Sequence, residues 1–347
     1  MISRRAALSL LAGSTVALGP ARLLARTGKR TVTDGAGRKV EIPATIGRVF
    51  AAGTPAAITL YTLAPDRLVG WPEPINDERR AYLPAKYAAL PVTGRLTGRA
   101  NTANVEVVLK NQPDLIIDIG TIAPIYASLA DRVQQQTGIP YLLLDGALTR
   151  TPALYRQLGE ILGAAAEAAA LAAYAADLLA LVRTRVAYVP RGQRARVYYA
   201  RGPEGLETGL AGSINAEMLD FVGAMNVAAT GEKRNIATVS AEQILAWNPE
   251  DVVTIDQRFY QDVWHNPIWE EVLAVRQKRV FLAPNKPFGW FDSPPAANRL
   301  IGLKWLCNKL YGGLFTGDLA AETHDFYRRF YHIDLTPAQL TALLEPA

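Results

Sequence analysis

The chain has 347 residues, of which 50% are hydrophobic and 20% are charged, with 37 Lys and Arg against 32 Asp and Glu. This length exceeds one ordinary core and predicts two domains, and the composition excludes a disordered chain. The formal net charge of +5 is not concentrated in a basic stripe, which argues against a nucleic-acid partner.

The first residues have the pattern of an export signal. Arg4 and Arg5 precede an apolar run over 6–18, and small residues follow near Ala25. The run is shorter than the roughly 20 residues that span a membrane. We interpret residues 1–25 as a cleaved signal peptide of the twin-arginine type, with an ordinary secretory signal as the alternative. The expected mature protein is soluble and periplasmic.

Cleavage also changes the charge. Residues 1–25 contain Arg4, Arg5 and Arg22 and no acidic residue, so their removal lowers the formal charge from +5 to +2. The electrostatic field of the mature protein as a whole is therefore expected to be weak.

Strand and helix patterns alternate in the first part of the mature chain. Two extended runs around an Asp-Gly turn predict a hairpin over 31–42. The next predicted elements are a strand at 49–52, a helix at 55–63, a strand at 68–71, a helix at 105–111, a strand at 115–119, a helix at 124–137 and a strand at 141–144. This alternation predicts a mainly parallel sheet. We assign residues 26–151 to an N-terminal α/β lobe.

The composition then changes abruptly. After Pro152, residues up to 187 are rich in Ala, Leu and Glu, with Gly159 and Gly163 as the exceptions. High helix propensity over such a length predicts one long helix, on the order of 30 Å or more. Pro190 marks its end. We interpret residues 152–190 as a stiff connector.

The alternation resumes in residues 191–347, which we assign to a C-terminal α/β lobe with a helical tail. The predicted elements are a strand at 195–200, a helix at 216–222, a helix and strand within 239–255, a strand at 279–282 and a helix at 297–311. The tail predicts two amphipathic helices, the second with Thr336 as N-cap and Pro337 at its first position.

One phrase occurs twice. The segments NVEVVLKNQPDLIIDI at 104–119 and VSAEQILAWNPEDVVTI at 239–255 share the same order of features. Each has a glutamate, Glu106 or Glu242, before a short helix, then a Pro followed by an acidic residue, then a β-branched run. The repeat predicts an equivalent helix and strand in each lobe.

With the segments 266–269, 279–281 and 330–335, this repeat resembles the periplasmic binding proteins of metal-chelate uptake systems, which include siderophore, haem and vitamin B12 binders of ABC importers. The resemblance implies two Rossmann-like α/β lobes joined by a single long α-helix, the class III type, with the ligand between the lobes. It implies that Glu106 and Glu242 dock against arginines of an inner-membrane ABC permease; a first-turn Glu can also simply favour its helix dipole. We expect a monomer with no cofactor.

Loops at the carboxyl ends of the strands are the expected ligand contacts, because they face the cleft in this architecture. These loops are rich in Arg and aromatic residues, which suit an anionic or metal-bearing chelate. We predict Arg95, Arg99, Arg201 and Arg258 as charge partners and Trp71, Tyr199, Tyr260, Trp290 and Phe291 as walls. Asp292 is a candidate helix cap rather than a ligand contact.

The expected ligand is an iron(III)-siderophore or a related iron chelate. Molybdate or tungstate is the next candidate, followed by haem, cobalamin and a nickel chelate. An oxyanion requires a compact set of amides and hydroxyls, for which Thr54, Thr97, Thr121 and Ser213 are available. A siderophore requires an open bowl lined by Arg and aromatic rings.

The sequence argues against a bare-metal site and against catalysis. Only His265, His324 and His332 are present, and the last two lie in the tail, whereas bare zinc sites use several His. Cys307 is the single cysteine, and we expect it to be a buried, inert thiol. A chelatase-like enzyme is the remaining catalytic alternative, but the chain lacks the common hydrolase and nucleotide-binding motifs.

Overall fold

A computed structural model of the chain describes residues 28–98, 102–229 and 236–345. The predicted signal peptide at 1–25 and the predicted cleft residue Arg99 lie outside these residues. The first lobe contains the strands β1 (Lys29–Thr33), β2 (Lys39–Pro43), β3 (Val49–Ala51), β4 (Leu115–Gly120) and β5 (Tyr141–Asp145), and the helices α1 (Thr54–Leu63), α2 (Asp77–Arg80), α3 (Ala85–Ala88), α4 (Val105–Asn111) and α5 (Pro124–Thr137).

The sheet of the first lobe is parallel, as predicted, with β4 between β3 and β5. The predicted hairpin is confirmed, because β1 and β2 pair antiparallel with Thr31 opposite Glu41. The predicted strand at 68–71 is reduced to two isolated bridges, Val49 with Leu68 and Trp71 with Val92. Proline cannot donate to a ladder, so Pro72 limits further pairing there.

The connector differs from the prediction of one continuous helix. It consists of α6 (Thr151–Leu162) and α7 (Ala165–Val186), which pack against each other. Gly163 ends α6 in the left-handed region at φ 63°, and the N–H of Ala164 donates to the Gly159 carbonyl at 2.8 Å. A glycine in this conformation is a common helix terminator. The alanine-rich composition does not indicate the break, because alanine favours helix on both sides of it.

Helix α7 contacts both lobes. Its 22 residues extend over about 33 Å. Its buried residues recur at helical spacing and form one face: Ala168, Leu171, Ala172, Ala175, Leu178, Leu179, Val182 and Val186. Helices α1 of the first lobe and α12 (Arg299–Tyr311) of the second contact it. By length and composition alone α7 could cross a membrane, but the core helix of a soluble protein passes the same test.

The second lobe repeats the plan of the first. Its strands are β6 (Arg196–Ala200), β7 (Glu207–Gly209), β8 (Met225–Asn226), β9 (Ile236–Thr238), β10 (Asp251–Thr254) and β11 (Val280–Leu282), and its helices before α12 are α8 (Glu217–Phe221), α9 (Ala241–Trp247), α10 (Gln257–Asp262) and α11 (Leu273–Arg276). The main sheet is parallel in the order β11-β10-β6-β8.

The repeated phrase folds into the same motif in both lobes. Asn104 caps α4 by accepting from the Val107 N–H, and Ser240 forms a capping box with Gln243 at α9. Each helix ends at a left-handed residue, Gln112 or Asn248. The chain then enters β4 or β10, which has a neighbour on both sides in its sheet. The duplication predicted from the sequence is therefore structural.

The helical tail crosses back to the first lobe. It consists of α13 (Leu319–Phe326), a π-helical turn (Tyr327–Tyr331) and α14 (Pro337–Leu344), whose predicted N-cap Thr336 is confirmed. The Tyr61 hydroxyl on α1 donates to the Tyr331 carbonyl, and the Gln339 amide donates to the Ala81 carbonyl at 2.7 Å. The end of the chain thus covers part of the lobe built by its beginning.

Candidate ligand-binding cleft

A cleft of about 830 Å³ lies between the two lobes. Its lining from the first lobe comes from the start of α1, the loop at 95–98, the end of β4 and the start of α5. Its lining from the second lobe comes from the residue after β6, the loop at 214–215, Ile236 and the loop at 292–295. The volume is in the range of sites for small organic ligands.

Two helices begin at this cleft without a side-chain cap. Thr54 and Pro55 at the start of α1, and Ile125 and Tyr126 at the start of α5, line the space. Neither helix has a capping side chain or an acidic residue in its first turn. The positive ends of two helix dipoles therefore lie at the same cleft, which favours an anion.

The floor of the first lobe is a hydrogen-bonded carboxyl group. Asp118, near the end of β4, accepts from the Thr97 hydroxyl at 3.1 Å and from the Tyr141 hydroxyl at 3.3 Å. Burial raises the pKa of Asp118, and these hydrogen bonds only partly offset the effect. Gly53 allows the close packing of this loop, because a Cβ there would lie 2.7 Å from the Thr97 Oγ1.

The second lobe presents a buried acid with three donors. Asp292 accepts from the Tyr199 hydroxyl at 2.9 Å and from the Asn215 amide at 2.8 Å. Arg201 forms an ion pair with the same carboxylate and also donates to the Tyr199 hydroxyl at 2.9 Å. Burial raises the pKa of Tyr199, so its hydroxyl remains a donor. This network fixes Arg201 at the wall of the cleft.

Positive charge exceeds negative charge in the cleft lining. Three arginines, Arg95, Arg132 and Arg201, lie there with two aspartates, Asp118 and Asp292. Arg95 is also paired with Glu73, which lies outside the cleft lining. Arg132 of α5 is exposed and forms no ion pair with the described residues. It is the cleft cation most available to a ligand.

The structure corrects the predicted aromatic walls. Trp290 and Phe291 have no exposed surface, and Tyr199 is equally buried. The Trp290 N–H donates to the Tyr327 hydroxyl at 3.3 Å, and Phe291 packs on Tyr199 with ring centroids 4.5 Å apart. A side chain with no exposed surface cannot form the wall of an open cleft. Trp71 is 1% exposed and touches only a smaller adjoining cavity.

Other predicted contacts lie away from the cleft. Arg258 projects from α10 into solvent near Asp262, with N···O at 3.7 Å. Tyr260 packs at the edge of Trp264 in the second lobe, with ring centroids 5.8 Å apart. Ser213, an expected oxyanion contact, is buried. Of the predicted charge partners in the described residues, the structure brings together Arg95 and Arg201 in the cleft.

Sequence reasoning missed Arg132, Tyr126 and Asp118. A signal for Arg132 was present in the sequence. It follows Pro124 at helical spacing with Ile125, Ser128 and Leu129, and all four line the cleft. A signal for Asp118 was present as well. Asp118 interrupts an otherwise apolar buried strand near its carboxyl end. Both patterns point to the cleft edge of a parallel sheet.

The two repeated glutamates are on the surface. Glu106 and Glu242 are both exposed, each in the first turn of its helix. Hydrogen bonding to the Ser240 hydroxyl lowers the pKa of Glu242. Within the described residues, no group of three or more His, Cys, Asp or Glu could hold a metal ion.

Comparison with known proteins identifies the family. Residues 52–287 match the model of a family described as periplasmic binding protein. The chain is similar to an ABC transporter solute binding protein from Sulfurospirillum deleyianum, with 28% identity and a TM-score of 0.84 over 91% of this chain and 99% of that one. None of the curated proteins matches it.

More distant structures share the fold alone. A molybdate periplasmic binding protein of a Haemophilus influenzae ABC transporter, solved with molybdate, is 23% identical with a TM-score of 0.73 over 89% of this chain and 99% of that one. A Helicobacter pylori protein solved as a nickel–histidine complex is 18% identical with a TM-score of 0.67 over 90% of this chain and 98% of that one.

From the family model and the Sulfurospirillum protein, the chain belongs to the periplasmic binding protein family, the solute-binding proteins of ABC transporters.

Proposed function

We propose that the mature protein is a soluble, monomeric periplasmic protein that captures an anionic metal chelate, first of all an iron(III)-siderophore, and delivers it to an inner-membrane ABC permease. The observation that carries this proposal is the interlobe cleft of about 830 Å³ with three arginines against two aspartates. A chelate of several hundred daltons suits this volume, and guanidinium groups suit its anionic oxygens.

Molybdate or tungstate is a second candidate because of a specific cluster of donors. Thr54, Thr97 and Thr121 lie in the cleft lining, and because the Thr97 hydroxyl donates to Asp118, the hydroxyls of Thr54 and Thr121 near the uncapped N-termini of α1 and α5 are the available donors. Such donors suit a small oxyanion. The wide cleft favours the chelate, because a four-oxygen anion would contact only one part of the lining.

Delivery is proposed to depend on Glu106 and Glu242. They occupy equivalent helices in the two lobes and are exposed. Two acidic groups on separate lobes allow a permease with two complementary basic sites to bind both at once, which multiplies weak contacts.

The test is a titration of the purified mature protein with a ferric siderophore, molybdate, haem and cobalamin, followed by tryptophan fluorescence and calorimetry. We expect the ferric chelate to bind and no substrate to turn over.

Arg132→Met should weaken binding at least about tenfold, because a hydrogen-bonded charge is lost. Arg258→Met is the matched control, since Arg258 is an exposed helical arginine away from the cleft lining. Equal effects of the two substitutions would contradict the proposal.

A further inference from the structure

A smaller cavity opens beside the main cleft. We call it the side pocket; it has a volume of about 130 Å³ and is lined by Thr54, Trp71, Pro72, Glu73, Ile75, Arg79, Arg95, Phe288, Ser293 and Pro294. Four of these residues, Thr54, Arg95, Ser293 and Pro294, also line the main cleft. The two spaces are therefore adjacent, and one ligand can extend from the cleft into the side pocket.

The apolar walls of the side pocket are held in place by packing. The rings of Trp71 and Phe288 lie with centroids 5.6 Å apart, and Tyr61 packs 5.4 Å from Trp71. The Trp71 N–H donates to the Tyr87 carbonyl at 2.8 Å. The indole therefore has its hydrogen bond satisfied within the protein and, at 1% exposed, forms the rigid backing of the pocket. Ile75 is half-buried and completes this lining.

The charges of the side pocket do not cancel. Arg95 forms an ion pair with Glu73 across the pocket lining. Arg79 is half-buried, and its guanidinium has no ion pair or hydrogen bond with any described residue. The lining therefore carries one cation in excess, next to aromatic and aliphatic walls. This combination suits a ligand group that is both flat and anionic.

The pocket is built by both lobes. Trp71, Ile75 and Arg79 come from the first lobe, and Phe288 and Ser293 come from the loop after β11. Close by, Lys286 pairs with Glu78 of α2 at 3.3 Å, and the Tyr327 hydroxyl donates to the Lys286 carbonyl. The Lys286–Glu78 pair thus ties the two walls together at their edge, and Tyr327 holds the Lys286 backbone in place.

We propose that the side pocket binds one anionic aromatic arm of the ligand, an aryl carboxylate or a catecholate, while the rest of the ligand occupies the main cleft. A dry cavity of roughly 150 Å³ holds benzene, so the side pocket matches one six-membered ring. Arg79 provides the charge partner, the partly exposed Ile75 and Pro294 contact the ring, and the buried Trp71 and Phe288 support them from behind. This inference rests on the proposed function, since it specifies which class of chelate the cleft accepts.

The first experiment uses small probes on the full mature chain. Benzoate, 2,3-dihydroxybenzoate, benzamide and acetate are titrated and followed by NMR or calorimetry. We expect benzoate and 2,3-dihydroxybenzoate to bind more tightly than benzamide, which lacks the charge, and than acetate, which lacks the ring. Arg79→Met should weaken the aromatic acids about tenfold, and Ile75→Trp should block them by filling the pocket. Arg258→Met is the control, and thermal unfolding verifies that each variant is folded.

The second experiment separates this inference from the proposed function. A ferric tris-catecholate and a ferric trihydroxamate, which has no aromatic arm, are titrated against the same variants. We expect Arg79→Met and Ile75→Trp to weaken the catecholate complex selectively. If both chelates bind and neither variant distinguishes them, the side-pocket assignment is overturned while the proposed function stands. If neither chelate binds but the aromatic acids still depend on Arg79, the proposed function fails and the side pocket remains an aryl-acid site.

Discussion

The buried Arg299 on α12 and the partly buried Glu217 on α8 form an ion pair that also contacts the other lobe. The Arg299 guanidinium donates to the Gly146 carbonyl at 2.8 Å, and the Leu148 N–H donates to the Glu217 carboxylate at 2.7 Å. Both Gly146 and Leu148 follow β5 of the first lobe. Burial lowers the pKa of Arg299, and Glu217 partly offsets this. A charged pair of the second lobe thus satisfies backbone groups of the first.

Removing one partner of this pair should lower the free energy of unfolding. Arg299→Met leaves the Glu217 carboxylate without its cation and the Gly146 carbonyl without the guanidinium donor, and the expected loss of unfolding free energy is about 3 kcal/mol. Glu217→Gln retains an acceptor for the Leu148 N–H and should cost less. Urea unfolding measures both, with Arg258→Met as the control. Equal values for Arg299→Met and the control would show that the pair does not join the lobes.

The break between α6 and α7 can be tested by whether one substitution raises or lowers the stability of the protein. A Cβ at position 159 would lie 2.4 Å from the Ala168 Cβ, because the two helices cross there. Gly159→Ala should therefore destabilise the protein by about 1–3 kcal/mol. In one straight helix the same substitution would stabilise it by about 0.5–1 kcal/mol. Thermal unfolding decides between the two, and Gly192→Ala is the control, since nothing lies within 4 Å of a Cβ there.

The buried carboxyl of Asp118 should make anion binding depend on pH. Burial raises its pKa above the ordinary value of 3.8, so on acidification it takes up a proton at a higher pH than an exposed aspartate. The neutral form no longer repels an anion in the cleft. Affinity for molybdate or a ferric chelate should thus rise as the pH falls and Asp118 takes up its proton.

The substitution Asp118→Asn gives the control for this effect. It should raise anion affinity at pH 8 and flatten the pH dependence, because no proton is taken up at position 118. Calorimetric titrations at several pH values measure both. A variant that keeps the full pH dependence would assign the effect to another group or to the ligand.

The surface glutamates provide a separate prediction about delivery. Glu106→Ala with Glu242→Ala should reduce transport into vesicles that contain the permease far more than either substitution alone, since the two contacts act together. Ligand affinity should be unchanged, because both residues are exposed and neither lines the cleft. The control replaces Glu160 and Glu271, two other exposed acids. Equal loss of transport in both double variants would point to net charge rather than docking.

The elements of regular structure could be largely predicted from the sequence, because caps and turns are local. The capped helices α4 and α9, the helix α5 and the N-cap Thr336 follow from residue types a few positions apart. The break at Gly163 could not be read in the same way. The break allows α6 to pack on α7 with Gly159 against Ala168, a contact that helix propensity does not describe.

The site was less predictable than the fold. An aromatic residue near a strand end can line a ligand site or belong to the core, and its sequence pattern is the same in both cases. Trp290 and Phe291 are core residues because their loop packs on Tyr327 and Tyr199. Which arginines face the cleft was equally hard to predict from the sequence. Arg201 reaches the cleft because Asp292 holds it, whereas Arg258 has only a solvated neighbour in Asp262. Which side of a loop faces the ligand depends on partners that are distant in sequence.

The return of the tail to the first lobe sets an order for folding. Tyr61 of α1 is fully covered, and its hydroxyl is bonded to the Tyr331 carbonyl, 270 residues later in the chain. A nascent polypeptide cannot complete this surface until the segment that contains Tyr331 has been synthesised. The covering of the first lobe is therefore completed only after the strands of the second lobe have been made.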